Sequence, residues 1–179
     1  MKAHKFLLIA LFLISTPLLA QERISPGVPD LGGIFEMPEE VYHPNSNLDY
    51  KIVVDVSAGA QDPAKVNPGL HNLARLINLH VAGGIPLENL EVVAVFHGGA
   101  TSIVLDNATY KENHGVDNPN LEYFKALTEA GMKFFVCGQS VTYRGYNFED
   151  LNEYVTPSYS AMTIMTEHQL KGFAALKFD

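Results

Sequence analysis

The sequence predicts an α/β fold: a mainly parallel sheet of about five strands with helices on both faces, in three layers. Short β-branched, apolar runs recur along the chain, segments with helical spacing separate them, and Asn, Pro and Gly mark the boundaries where helices start and stop. Strands that alternate with helices need crossover connections, and crossovers make parallel sheets. With 179 residues the chain can build one domain with a substantial core.

The first residues read as an address. Lys2 and Lys5 precede an unbroken apolar run from Phe6 to Ile14, followed by Ser15, Thr16, Pro17 and a small residue at Ala20. That layout predicts a secretory signal peptide over residues 1–20, although Leu18 stands where a small residue is usual. The run is too short for a permanent span, which takes roughly 20 helical residues. The mature protein is therefore expected to be exported, to a periplasm or beyond, with no stable membrane span. Removing the leader takes away Lys2 and Lys5 and no acid, so the mature chain is more acidic still.

Residues 21–48 are rich in Pro, Gly and acid and have no sustained period, which predicts an extended arm. Their apolar residues, among them Val28, Ile34 and Phe35, predict that part of the arm packs on a folded surface. A single domain is expected over 49–179. Tyr50–Ser57 reads as a strand buried on both faces. Asn67-Pro68 then caps a helix with Leu70, Leu73, Leu76 and Ile77 at helical spacing, closed by Gly83-Gly84. Leu90–His97 is a second strand, ending at Gly98-Gly99. Asn118-Pro119 predicts the cap of a helix carrying Leu121, Phe124 and Leu127, stopped at Gly131. Met132–Cys137 is a strand. Asn147 with Asp150 forms a capping-box pattern that predicts a short helix to Tyr154. Val155-Thr156-Pro157 is a brief strand, Ser158 or Ser160 caps a helix through Gln169, and Phe173–Phe178 closes the sheet.

Composition narrows the function. A net charge of −8, from 12 Lys and Arg against 20 Asp and Glu, argues against nucleic acid as the main partner, since phosphate binding needs clustered cations. The single cysteine, Cys137, excludes an intramolecular disulfide. The scattered histidines lack the paired spacing of metal ligands, so neither a metal nor a cofactor is expected. Ten Phe and eight Tyr are more than one small α/β layer buries comfortably, which predicts a homo-oligomer.

In an open parallel sheet, ligands collect beyond the carboxyl ends of the strands. Those ends carry Ser57, then His97, Gly98 and Gly99, then Cys137, Gly138, Gln139 and Ser140. Glycine turns there can aim backbone N–H groups at an anion, an environment that favours a thiolate. Cys137 is thus the candidate reactive group, with His97, Gly98, Gly99, Gly138, Gln139, Ser140 and Ser57 as its surroundings.

The stretch Lys133–Ser140, with Arg144-Gly145, Glu149-Asp150-Leu151, Pro157-Ser158 and Gln169–Ala174 after it, resembles the DsrE/DsrF-like family of sulfur-relay proteins. The resemblance extends upstream through Val53–Ser57, the Asp62–Lys65 turn and Val93–Gly98, and covers roughly residues 50 to 178. It implies a compact flavodoxin-like subunit assembled into homotrimers or homohexamers. It also places Cys137 at the position of a cysteine that carries sulfane sulfur as a persulfide between partner proteins, so Cys137 is the expected catalytic residue of a sulfur carrier or sulfurtransferase. The leader and the arm depart from the pattern, because the best understood relay members work in the cytoplasm. Two other readings are a non-catalytic, oligomeric small-ligand module in which Cys137 only lines the crevice, and a Cys-His hydrolase with His97 as base, Asp55 as orienting acid and Gly98-Gly99 as oxyanion site.

Overall fold

The computed structural model describes residues 22–179, so the predicted leader lies outside the described residues. The elements run β1 (Tyr50–Val56), α1 (Pro68–Ala82), β2 (Leu90–Phe96), α2 (Asn107–His114), α3 (Leu121–Glu129), β3 (Lys133–Cys137), α4 (Gly138–Tyr143), β4 (Val155–Ser158), α5 (Ala161–Leu170) and β5 (Ala174–Phe178). The sheet has the order β4-β3-β2-β1-β5, and every pairing is parallel. This order differs from the flavodoxin order 2-1-3-4-5. From β1 to β4 the chain steps in one direction, and only the last crossover runs back, past β1. Right-handed crossovers then put α1 and α3 on one face and α5 on the other.

Alternation along the strands sorts side chains between those faces. Ile52, Val54 and Val56 of β1, Val92, Ala94 and Phe96 of β2, and Phe134 and Val136 of β3 join Leu70, Leu73, Ile77, Phe124 and Leu127 in one large core. At its centre Phe96 and Phe134 both meet Phe124 edge-on, with centroids 5.3 and 5.1 Å apart. The opposite face holds a much smaller cluster, Val53, Val93, Val95, Cys137, Ala161, Ile164 and Phe173, covered by α5.

The capping residues act mostly as expected. Asn67 Oδ1 accepts from the Gly69 N–H at 2.8 Å with Pro68 at the first helical position, and Ser160 Oγ accepts from the Thr163 N–H at 3.1 Å. Asn118 differs. It is a buried peg: its Nδ2 donates to the carbonyls of Ile103 and Leu105, its Oδ1 accepts from the Asn120 N–H, and Asn120 stands at the N-cap position of α3 without a side-chain cap bond. The Asn147–Asp150 capping box forms, but only a single 3-10 turn follows it, since Leu151 leaves to bridge Leu105. Both α2 and α4 were unforeseen, for reasons that lie in their residues: α2 buries only Tyr110, and α4 has six residues.

Residues 24–34 are bound to the domain. Ile24 and Ile34 pair as an antiparallel bridge, Val28 is fully buried, and Asn78 of α1 serves as the clasp. Its Oδ1 accepts from the N–H groups of Gly27 and Val28, while its Nδ2 donates to the carbonyls of Leu31 and Gly32. Gly32 has φ +60°, and a Cβ there would stand 2.5 Å from the Arg75 nitrogen, so the close approach requires glycine. Among the described residues no helix is long and apolar enough to cross a membrane.

Candidate functional site

β3 passes into α4 without a loop, which makes Cys137 both the last strand residue and the cap of the helix. A Cβ on Gly138 would lie 2.6 Å from the Ser158 carbonyl oxygen, so this abrupt turn needs a residue without a side chain. The thiol is 6% exposed. Burial alone pushes its pKa up, but the N–H of Ala161, the hydroxyl of Ser140 and the N–H groups of Ser140 and Gln139 all hydrogen-bond the sulfur. These donors outweigh the burial, and the thiol lies below its ordinary value. The sulfur sits between the first turns of α4 and α5.

Cys137 opens into a cavity of about 610 Å³ lined also by Asp55, His97, Gln139, Ser160, Ala161, Met162, Met165 and Thr166. Polar groups occupy the strand side, and apolar side chains of α5 form the other wall. His97 Nε2 and Asp55 Oδ1 are 2.5 Å apart. In a neutral imidazole that bond places the proton on Nε2 and leaves Nδ1 as an acceptor. A second opening of about 640 Å³ lies at the other end of the same face, between Lys51, Glu91, Lys133, Glu167 and Lys171, and no thiol or hydroxyl is among its lining residues.

Of the residues singled out in the sequence, Cys137, His97 and Gln139 meet in the cavity, and Ser140 bonds the sulfur. Gly98 and Gly99 do not supply the expected donors. The Gly98 N–H reaches Ser140 Oγ at 3.4 Å, its carbonyl accepts from Thr101 and Arg144, and Gly99 packs so tightly on Gly59 that a Cβ would come within 2.6 Å of the Gly59 nitrogen. Ser57 lies outside the cavity, with its hydroxyl donated to Asp179 at 2.8 Å. Sequence reasoning missed the Ala161 N–H and the Met162 and Met165 wall. The signal for them was Ser160, a cap that fixes where α5 begins. Among the described residues no group of three or more His, Cys, Asp and Glu could hold a metal ion.

A family model described as DsrE/DsrF-like matches residues 50–178, every element from β1 to β5. The chain belongs to the DsrE/DsrF-like family. A solved structure of a protein of unknown function from Methanobacterium thermoautotrophicum is similar in fold, with a TM-score of 0.54 and 18% identity over 73% of this chain and 100% of that one. No curated protein matches. The clasped residues 24–34 thus lie ahead of the DsrE/DsrF-like region, whereas the whole Cys137 cavity lies within it.

Proposed function

We propose that this DsrE/DsrF-like protein is an exported sulfur carrier in which Cys137 accepts sulfane sulfur as a persulfide and hands it to a partner protein. The observation that carries the reading is the thiol itself, a buried sulfur whose four hydrogen bonds favour its anionic form at the edge of a half-apolar cavity. A thiolate is the nucleophile in sulfur exchange. In loading, the Cys137 thiolate attacks the outer sulfur of a donor persulfide, a new S–S bond forms as the old one breaks, and the donor leaves as a thiolate with no net oxidation. The exchange itself moves no proton; His97, held by Asp55 with Nδ1 as an acceptor, then takes the proton of the transferred S–SH group so that Cys137 holds it as a persulfide anion, and the methionine wall shields the persulfide from water.

The hydrolase reading loses its support. Among the described residues Cys137 and His97 share no hydrogen bond, and the Gly98-Gly99 turn engages Ser140, Thr101, Arg144 and Gly59 rather than the sulfur side of the cavity.

Assembly into a homotrimer or homohexamer belongs to the same proposal. Tyr143, Tyr159, Met162 and Leu170 are all mostly exposed, and a neighbouring subunit would cover such side chains. Light scattering checks this, and a monomer mass at micromolar concentration refutes it.

The test of the carrier is mass spectrometry after incubation with a polysulfide donor. The expected result is a gain of one sulfur, about 32 Da, on Cys137, removed by a thiol reductant and absent in Cys137→Ser. A protein that alkylates at Cys137 yet never gains sulfur would instead be a ligand-binding module.

A further inference from the structure

Away from the Cys137 cavity, the clasped N-terminal segment and the outer side of α1 enclose another pocket, of about 290 Å³, which the sulfur chemistry does not use. Its polar wall holds two guanidinium groups and an imidazole. Arg23 comes from the segment, and His71 and Arg75 come one turn apart on α1. In this acidic protein Lys65, Lys111, Lys125, Lys133, Lys171 and Lys177 each pair with a carboxylate. Arg23 and Arg75 have no ion pair with any described residue. Both guanidinium charges reach one imidazole, since the His71 pKa is lowered by burial and then by Arg75 and Arg23.

The other wall is apolar and uncovered. Phe35, Met37 and Leu79 are 42%, 53% and 49% exposed, a concentration of large side chains that soluble proteins rarely leave open without use. The two walls are held in register. The Arg23 guanidinium lies over the Phe35 ring, 5.2 Å from its centroid. Gly32 presses against the backbone of Arg75, and the Asn78 clasp fixes the segment on the helix.

We infer that this pocket binds a small amphiphilic carboxylate, its charged end between Arg23 and Arg75 and its aromatic or aliphatic body against Phe35, Met37 and Leu79. A guanidinium offers a planar fork that matches a carboxylate, and two forks with no ion pair to a described residue, set beside an apolar wall, select an acid over either a bare anion or a neutral hydrocarbon. The volume is at the small end of ligand sites, which suits an acid with a single ring or a short chain.

The experiment is calorimetric titration of the full chain with phenylbutyrate, with phenylbutanol and acetate as half-probes. The expected dissociation constant for phenylbutyrate is on the order of 0.1–1 mM, with each half-probe at least about tenfold weaker. Arg75→Gln and Arg23→Gln each weaken phenylbutyrate about tenfold, and Leu79→Ser weakens it by removing the apolar wall. All three side chains are exposed, and a melt on each variant confirms folding. Alkylation of Cys137 stays unchanged throughout. Equal binding of the alcohol and the acid, arginine variants that bind like the parent, or no heat at 10-fold the expected constant would each overturn the site. Because the readout involves no sulfur transfer, its failure leaves the carrier reading untouched.

Discussion

The two faces of the sheet are made by the same strands and do opposite things. On the α1–α3 side, Ile52, Val54, Val56, Phe96 and Val136 are at most 5% exposed and meet a continuous apolar layer. On the α5 side, the alternate positions of those strands carry Lys51, Asp55, Glu91, His97 and Lys133, and a single ten-residue helix spans the gap between two cavities. One layer supplies the stability, and the other can therefore keep holes and charges beside a nucleophile. The topology produces this division, because three crossovers run one way and only the β4-to-β5 crossover returns over the second face.

Truncation on the sealed side should separate the two roles. Phe124→Ala is expected to cost about 3–5 kcal/mol in chemical denaturation, because the ring is fully buried and touches both Phe96 and Phe134. In the native baseline the alkylation rate of Cys137 should stay at the parent value. A faster rate would show that the faces are coupled and that the division is only apparent.

A smaller loss is expected from Asn118→Ala, about 1–3 kcal/mol, since it leaves the buried Ile103 and Leu105 carbonyls and the Asn120 N–H without partners. The residue sits in the short connection between α2 and α3. A stability unchanged within error would mean that water replaces all three bonds.

Asn118 also marks the limit of what sequence reveals. The strands were legible as short apolar, β-branched runs, α1 and α3 by an apolar face at helical spacing, and α5 by the Ser160 cap at its start and Gly172 after its end. The Asn118-Pro119 pair looks like a helix cap, and no local pattern distinguishes a cap from a peg that satisfies carbonyls 13 and 15 residues upstream. The α2 helix lacked a signal because its residues stay solvated around one buried tyrosine. At the site, Cys137, His97 and Gln139 could be placed by the rule that parallel strands end at the crevice. The donors to the sulfur could not, because Ala161 arrives through the return crossover and glycine content alone does not say which N–H groups face inward. That is why Gly98 and Gly99, promising as anion turns, proved to be a left-handed turn residue with φ +53° and a close-packing contact on Gly59.

On the working face, Asp55→Asn tests whether His97 is positioned or merely present. Sulfur loading should slow about tenfold as the imidazole loses the carboxylate that fixes its tautomer, and Asp55→Glu should recover part of the rate. Alkylation of Cys137 by a neutral reagent should hardly change, since the donors to the sulfur are elsewhere. Equal slowing of both reactions would mean that Asp55 only shapes the cavity.

The smallest effect belongs to one hydroxyl. Ser140→Ala removes a single donor to the Cys137 sulfur and leaves the N–H groups of Ala161, Ser140 and Gln139 in place. A bond of this kind is worth about 1 kcal/mol, so the pH midpoint of alkylation should move upward and the rate at neutral pH should fall roughly fivefold. Stability carries the same information with a definite sign. Folding lowers the thiol pKa, so the native state favours the thiolate, and the resulting stabilisation is fully present above the unfolded thiol pKa and lost as pH falls through the folded one. The melting temperature of the parent relative to Cys137→Ser should therefore rise as pH increases from the folded thiol pKa toward about 8.5, where free thiols titrate. With Ser140→Ala the same comparison should rise less. If the parent and Cys137→Ser run parallel across that range, the hydrogen bonds only offset burial, and the second face would hold a neutral thiol with no better claim to sulfur chemistry than any buried cysteine.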